Sequence, residues 1–227
     1  MYADRSGRSP RTPGVRTLAL VSFLFFACGF LSPFTTERRL VSPPRAEKIH
    51  WRHSLALGTP GNGRLVRGVQ LPGSGAHYFT WDPLLHRRPN RPWRRWGTDG
   101  LVRKVLQVVA AYAAEHPDAP RVGIGDLSRR HGGYFGPKHA THQNGLDVDV
   151  YYPRLDRRER PPTSVGQIDH RLAQGLVDLF VRAGAELVYV GPNTGLVGPP
   201  GVVQILWNHD NHLHARFRFP PRASGNS

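Results

Sequence analysis

Two short segments of this chain concentrate histidine and carboxylate. Residues 138–150 read KHATHQNGLDVDV and hold His139, His142, Asp147 and Asp149, while residues 208–217 read NHDNHLHARF and hold His209, His212 and His214. Imidazole nitrogen and carboxylate oxygen are common zinc ligands, and a zinc with three protein ligands keeps one position for water. That water is activated for attack, so the chemistry suggested is hydrolysis. The clusters stand about 60 residues apart, and two partial ligand sets imply one metal site closed by the fold. Cys28 is the only cysteine, which leaves the domain without thiolate ligands or an internal disulfide. No H-E-x-x-H occurs, and Glu37, Glu47, Glu115, Glu159 and Glu186 all lie outside both clusters. A histidine must therefore take the part of the base.

Strand periodicity gives each cluster two faces. In GLDVDVYY (145–152), Leu146, Val148 and Val150 point toward a core, and Asp147 and Asp149 point the other way. In HLHARFRF (212–219), Leu213, Ala215, Phe217 and Phe219 share one face, and His212, His214, Arg216 and Arg218 share its opposite. A turn through Gln143-Asn144-Gly145 can fold His142 back toward Asp149, and either His212 or His214 can supply a further ligand. Asp147 is placed to orient a ligand histidine or to serve as an ordinary polar strand residue. Asp126, in GDLS (125–128), either lines the cleft or caps the turn after its strand.

Helices are expected over 99–116, capped by Asp99, and over about 166–183, with Gly184 just past the end. Further strands are expected at 121–128 and 185–191. This mixture predicts an α+β domain: a small, mostly antiparallel central sheet with flanking helices and the zinc site on the sheet. The segment 81–97, WDPLLHRRPNRPWRRWG, has neither period. It reads either as a loop packed by its tryptophans or as a groove wall whose guanidiniums meet ligand carboxylates.

Ahead of the domain, Arg5, Arg8, Arg11 and Arg16 precede the apolar run 17–34, the pattern of a signal sequence or signal anchor. Ala27-Cys28-Gly29 resembles a lipoprotein cleavage site. The organisation expected is a leader (1–34), a linker (35–58), a single domain (59–220) and a polar tail (221–227). The net charge of +15 favours an anionic partner such as acidic wall polymers. Export makes nucleic acid an unsuitable one and limits membrane contact to the N-terminal segment.

GDLS, HGGYFGPKHATHQNGLDVDVYY and NHDNHLHARF together resemble the penicillin-insensitive murein endopeptidase family, within the wider group of lysostaphin-type and D-Ala-D-Ala carboxypeptidase-type zinc peptidases. The resemblance runs from roughly Arg94 to Phe219. It implies that His142, Asp149 and His214 bind one zinc ion, that His212 is catalytic beside it, and that His209 and His139 are further active-site histidines. It also implies a cell-envelope endopeptidase whose partner is the peptidoglycan stem peptide and whose target is the D-alanyl cross-link. A D,D-carboxypeptidase or dipeptidase of the same group would use an equal metal set, and a silent wall-binding protein could keep the fold without activity.

Overall fold

The computed structural model describes residues 48–137 and 139–219. The apolar leader, Cys28, most of the linker and the polar tail lie outside the described residues. Among the described residues no helix is long and apolar enough to cross a membrane.

The chain opens with a hairpin of β1 (Leu55–Thr59) and β2 (Asn62–Val66), which starts inside the segment expected to be linker. Then come β3 (Val69–Gln70), β4 (Tyr78–Thr80) and β5 (Trp96–Gly97), with a short 3-10 helix at Pro92–Arg94. Helix α1 (Asp99–Glu115) leads to β6 (Val122–Ile124) and β7 (Asp147–Tyr151). Helix α2 (His170–Arg182) is followed by β8 (Leu187–Val190), β9 (Val203–Ile205) and β10 (His212–Arg216). Six strands form the main sheet in the order β4-β6-β7-β10-β8-β9.

The architecture is α+β, as expected, but the sheet is mixed. Its three central pairings are antiparallel, while β4 pairs β6 and β9 pairs β8 in parallel at the two edges. Parallel neighbours need a crossover, and α1 supplies it between β4 and β6. The edge strands β4 and β9 have three residues each, too few for a period to show in the sequence.

Both helices form because their apolar residues recur at helical spacing. On α1, Leu101, Val102, Val105, Val108, Val109 and Tyr112 are buried; on α2, Leu172, Ala173, Leu176, Val177, Leu179 and Phe180 are. These faces share one core with Val148, Val150, Val188, Leu213, Ala215 and Phe217 from the sheet. Each fully buried branched side chain stabilises this layer by roughly 1.5–3 kcal/mol. The helices therefore cover one face of the sheet, and the polar groups of β7 and β10 occupy the other. Gly184, at φ +85°, closes α2 while Ala185 N–H bonds back to the Phe180 carbonyl.

Asp99 is not the cap of α1. Thr98 is, its hydroxyl accepting from Leu101 N–H at 3.1 Å. The Asp99 carboxylate instead accepts from Arg52 N–H (2.9 Å), Ser54 N–H (2.6 Å) and the Ser54 hydroxyl (2.5 Å), tying the chain ahead of β1 to the helix start. Burial pushes this carboxyl up, but the Ser54 and Arg52 donors outweigh it and hold it below its ordinary value. A depressed carboxyl contributes stability that is complete above the unfolded value of about 3.9 and lost as pH falls through the folded one. Asp99→Asn is expected to lower the unfolding free energy at pH 7 by about 1 kcal/mol, allowing for solvent screening. The difference from wild type should shrink below about pH 4, as urea unfolding across pH will test; a gap constant with pH would refute the assignment.

Candidate metal centre

Strand register assembles the centre. β10 runs antiparallel to β7 with His214 opposite Asp149, Arg216 opposite Asp147 and His212 opposite Tyr151. The core face of each strand is buried under the helices, so the alternate residues must project to the far side. A loop between β6 and β7 then folds over that side and delivers His139 and His142.

His142 sits at φ +68°, a left-handed conformation that a non-glycine residue holds only under local constraint. Four hydrogen bonds supply the constraint. Its N–H donates to Asp147 Oδ2 (3.1 Å), its carbonyl accepts from the Ser128 hydroxyl (2.5 Å), and its Nδ1–H donates to the Leu127 carbonyl (2.5 Å). The neighbouring Gln143 N–H donates to the Pro60 carbonyl of the hairpin turn (3.0 Å). Gly132 is needed in the same loop: at φ +69° a Cβ there would run into the Gln143 carbonyl.

These bonds fix which ring nitrogens are free. A carbonyl only accepts, so His142 carries its proton on Nδ1 and turns Nε2 toward Asp149 Oδ1, 3.3 Å away. His214 donates Nε2–H to Asp147 Oδ1 (3.0 Å) and places Nδ1 3.1 Å from the same Asp149 oxygen. Asp147 is fully buried behind His214 and also accepts from Arg216 Nε at 2.7 Å. Of the two readings of Asp147, the one that orients a histidine matches its contacts, and it lies behind the cleft rather than facing it.

One ligand atom each from His142, Asp149 and His214 lie within 4.8 Å of one another, and all three residues are buried. Two imidazoles, each backed by a hydrogen bond at its other ring nitrogen, and a carboxylate fit a zinc-type cation. Electrostatics agree. Burial opposes charge on His142, yet Asp149 outweighs it and raises the imidazole to about 9. His214 is raised as well, against its burial, by hydrogen bonds to Asp147 and Asp149. Burial likewise opposes ionisation of Asp147 and Asp149, but His214 and His142 respectively hold them below the usual carboxylate range. Two buried carboxylates thus demand positive charge at this point, which protons or a metal cation can meet.

His212 and His209 flank the trio with rings 4.6 Å apart. His212 donates Nδ1–H to Asn211 Oδ1 (2.7 Å), leaving Nε2 3.9 Å from Asp149 Oδ1. His209 donates Nδ1–H to the Trp207 carbonyl at 2.9 Å. Burial pushes His212 down to about 4 and lowers His209, so both are neutral near pH 7 with one nitrogen able to accept a proton.

On the opposite flank, His139 Nε2 is 3.2 Å from Asp126 Oδ2. Asp126 lines the cleft and does not cap its turn. It takes both arms of the buried Arg94 guanidinium and an N–H from Asn90 (3.0 Å). Asp126, His139 and Asp149 form a second closely spaced trio, but Arg94 already balances the charge of Asp126. Arg94, Asn90 and Asn211 escaped sequence reading. Only Asn211 had a local signal, its position within the second cluster; the other two meet Asp126 across more than 30 residues.

Asp126, His139, His142, Asp149, His209, His212 and His214 all line one cleft of about 730 Å³. Pro83 and Leu84 form one wall, and Leu206, Trp207 and Asn208 another. The segment 81–97 is thus a cleft wall in part, but two of its arginines are engaged internally: Arg91 with Asp82, and Arg94 with Asp126. Trp93 packs on Phe135 with ring centroids 5.6 Å apart.

The family model described as penicillin-insensitive murein endopeptidase matches residues 56–178, from β1 into α2 and through the whole first cluster. Similar proteins include the penicillin-insensitive murein endopeptidases of Salmonella paratyphi B, Salmonella newport and Salmonella enteritidis PT4. Each is 28% identical over 164 residues, covering 71% of this chain and 54% of the relative. The chain therefore spans about half the length of these relatives. The match covers β7 and the loop before it, which carry Asp149 and His142, while His214 on β10 lies beyond it; with more than half of the sequence matched, the chain belongs to the penicillin-insensitive murein endopeptidase family.

Proposed function

We propose that this protein is a zinc-dependent hydrolase of peptidoglycan in the cell envelope, cutting D-alanyl cross-links between stem peptides. The observation that carries the reading is the convergence of His142, Asp149 and His214 in one cleft, with ring protons directed away to Leu127 and Asp147. Family membership supplies the substrate class.

In this reading His142, Asp149 and His214 hold one zinc ion. Zinc bound there would polarise the scissile carbonyl and lower the pKa of water toward about 7. His212 is the base: neutral and tethered by Asn211, it accepts the proton of the attacking water at Nε2. It then returns that proton to the leaving amine. His209, its ring 4.6 Å from that of His212 and its Nδ1–H given to the Trp207 carbonyl, offers a second acceptor nitrogen for the water proton. His139, held by Asp126, borders the opposite side of the trio. Walls on both sides of the trio suit a substrate that extends past the cut in both directions.

The full-length protein, incubated with purified peptidoglycan, should convert cross-linked muropeptide dimers to monomers. Chelation should stop the reaction and added zinc restore it. Release of free D-alanine alone would identify a D,D-carboxypeptidase instead, and no chelator-sensitive product would refute the hydrolase reading.

His142→Ala, Asp149→Ala and His214→Ala are each expected to abolish both zinc retention and digestion, read by elemental analysis and muropeptide chromatography. His212→Ala should keep one zinc yet lose about 10²–10⁴-fold in kcat; a variant that lost its zinc would instead make His212 a ligand. Asp147→Asn should weaken zinc affinity by about 10–100-fold in a chelator competition, and unchanged affinity would remove Asp147 from the positioning role.

A further inference from the structure

We propose that a second, separate site on this protein binds a run of phosphoryl groups. Arg64 of β2, Arg67 in the turn that follows, Arg52 ahead of β1, and Arg130 and His131 of the ligand loop line a cavity of about 560 Å³. No acidic residue lines it. The four arginines are exposed, and among the described residues none is paired with a carboxylate.

Several arginines elsewhere in the domain do have a carboxylate partner. Arg88 and Arg121 share Glu159, Arg154 holds Asp156, Arg182 holds Glu115, and Arg218 holds Glu186. The acid tied to this region, Asp99, is already occupied by the N–H groups of Arg52 and Ser54 and by the Ser54 hydroxyl. The sequence has no Asp or Glu over 48–81 or over 127–146, the stretches that supply the cavity. A smaller neighbouring cavity of about 200 Å³ shares Arg52 and adds Lys48 and His50.

Four guanidiniums without a counter-charge repel one another, and an anion placed among them removes that repulsion. Guanidinium forks match phosphoryl oxygens in bidentate geometry. A phosphate chain concentrates several charges in such a volume, whereas stem-peptide carboxylates are spread along a peptide. The concave shape suits a chain that enters the cavity, either free or as part of a polymer, and not the flat surface of a bilayer.

Calorimetric titration of the full-length protein with sodium tripolyphosphate at low salt tests this. Wild type should bind, and Arg64→Gln/Arg130→Gln should weaken binding about tenfold or more. Arg52→Gln/Arg67→Gln, from the same cavity, should do the same, so a folding defect in one pair does not decide the matter; thermal melts report on folding. Arg87→Gln/Arg171→Gln removes equal charge outside the cavity and should stay within twofold. Equal weakening by all three pairs, or no binding by wild type, would overturn the proposal. So would capture by vesicles of equimolar phosphatidylglycerol and phosphatidylcholine without tripolyphosphate binding. Every measurement reads binding and not wall digestion, so the result stands apart from the hydrolase reading.

Discussion

Pairing of β7 with β10 in a single register ties the chemistry of this protein to its folding. Val148, Val150, Leu213 and Ala215 are fully buried against the two helices, which fixes the face each strand turns inward. With that face fixed, His214 stands opposite Asp149 and Arg216 opposite Asp147. A slip of one residue would expose the apolar set and bury the polar one, so the hydrophobic core enforces the pairing that the polar centre needs. The polar side contributes in return, because the His214–Asp147–Arg216 contacts exist only in this register.

The carboxylates show why the centre must be closed on itself. Asp147 and Asp126 are nearly inaccessible to water, and an ion so placed is costly unless paired and hydrogen-bonded. Each has found a different solution. Asp126 takes the Arg94 guanidinium, a permanent charge that needs no metal. Asp147 takes Arg216 together with a backbone N–H and a ring nitrogen. Asp149 is held only by imidazoles, whose charge can be exchanged for that of a cation. That contrast separates a carboxylate that positions from one suited to ligation.

Much of this is legible in the sequence, for identifiable reasons. The helices announce themselves through apolar residues at helical spacing, and β7 and β10 through strict alternation. The same alternation puts Asp149 and His214 on the polar faces of their strands, away from the core. What the sequence hides depends on distance along the chain. Thr98 and Asp99 are adjacent and both can cap, and only the position of Ser54, 45 residues away, assigns Asp99 elsewhere. Nothing near Arg94 points to Asp126, and nothing in HGGYFG states that the β1–β2 hairpin will brace it. The short parallel edge strands carry no period, and so the expected sheet is simpler than the real one.

The order of strands in space has a consequence for when the protein becomes competent. β10 is the last strand of the described residues, yet it lies between β7 and β8 in the middle of the sheet. Until it inserts, β7 and β8 face a gap, and Asp149 lacks the imidazole that the facing strand supplies. Assembly of the centre therefore requires closure of a long loop between His142 and His214. A chain emerging from the ribosome would carry the first cluster for about 60 residues of synthesis before the second arrived. Topology thus delays closure of the His/Asp centre until β10 has been made.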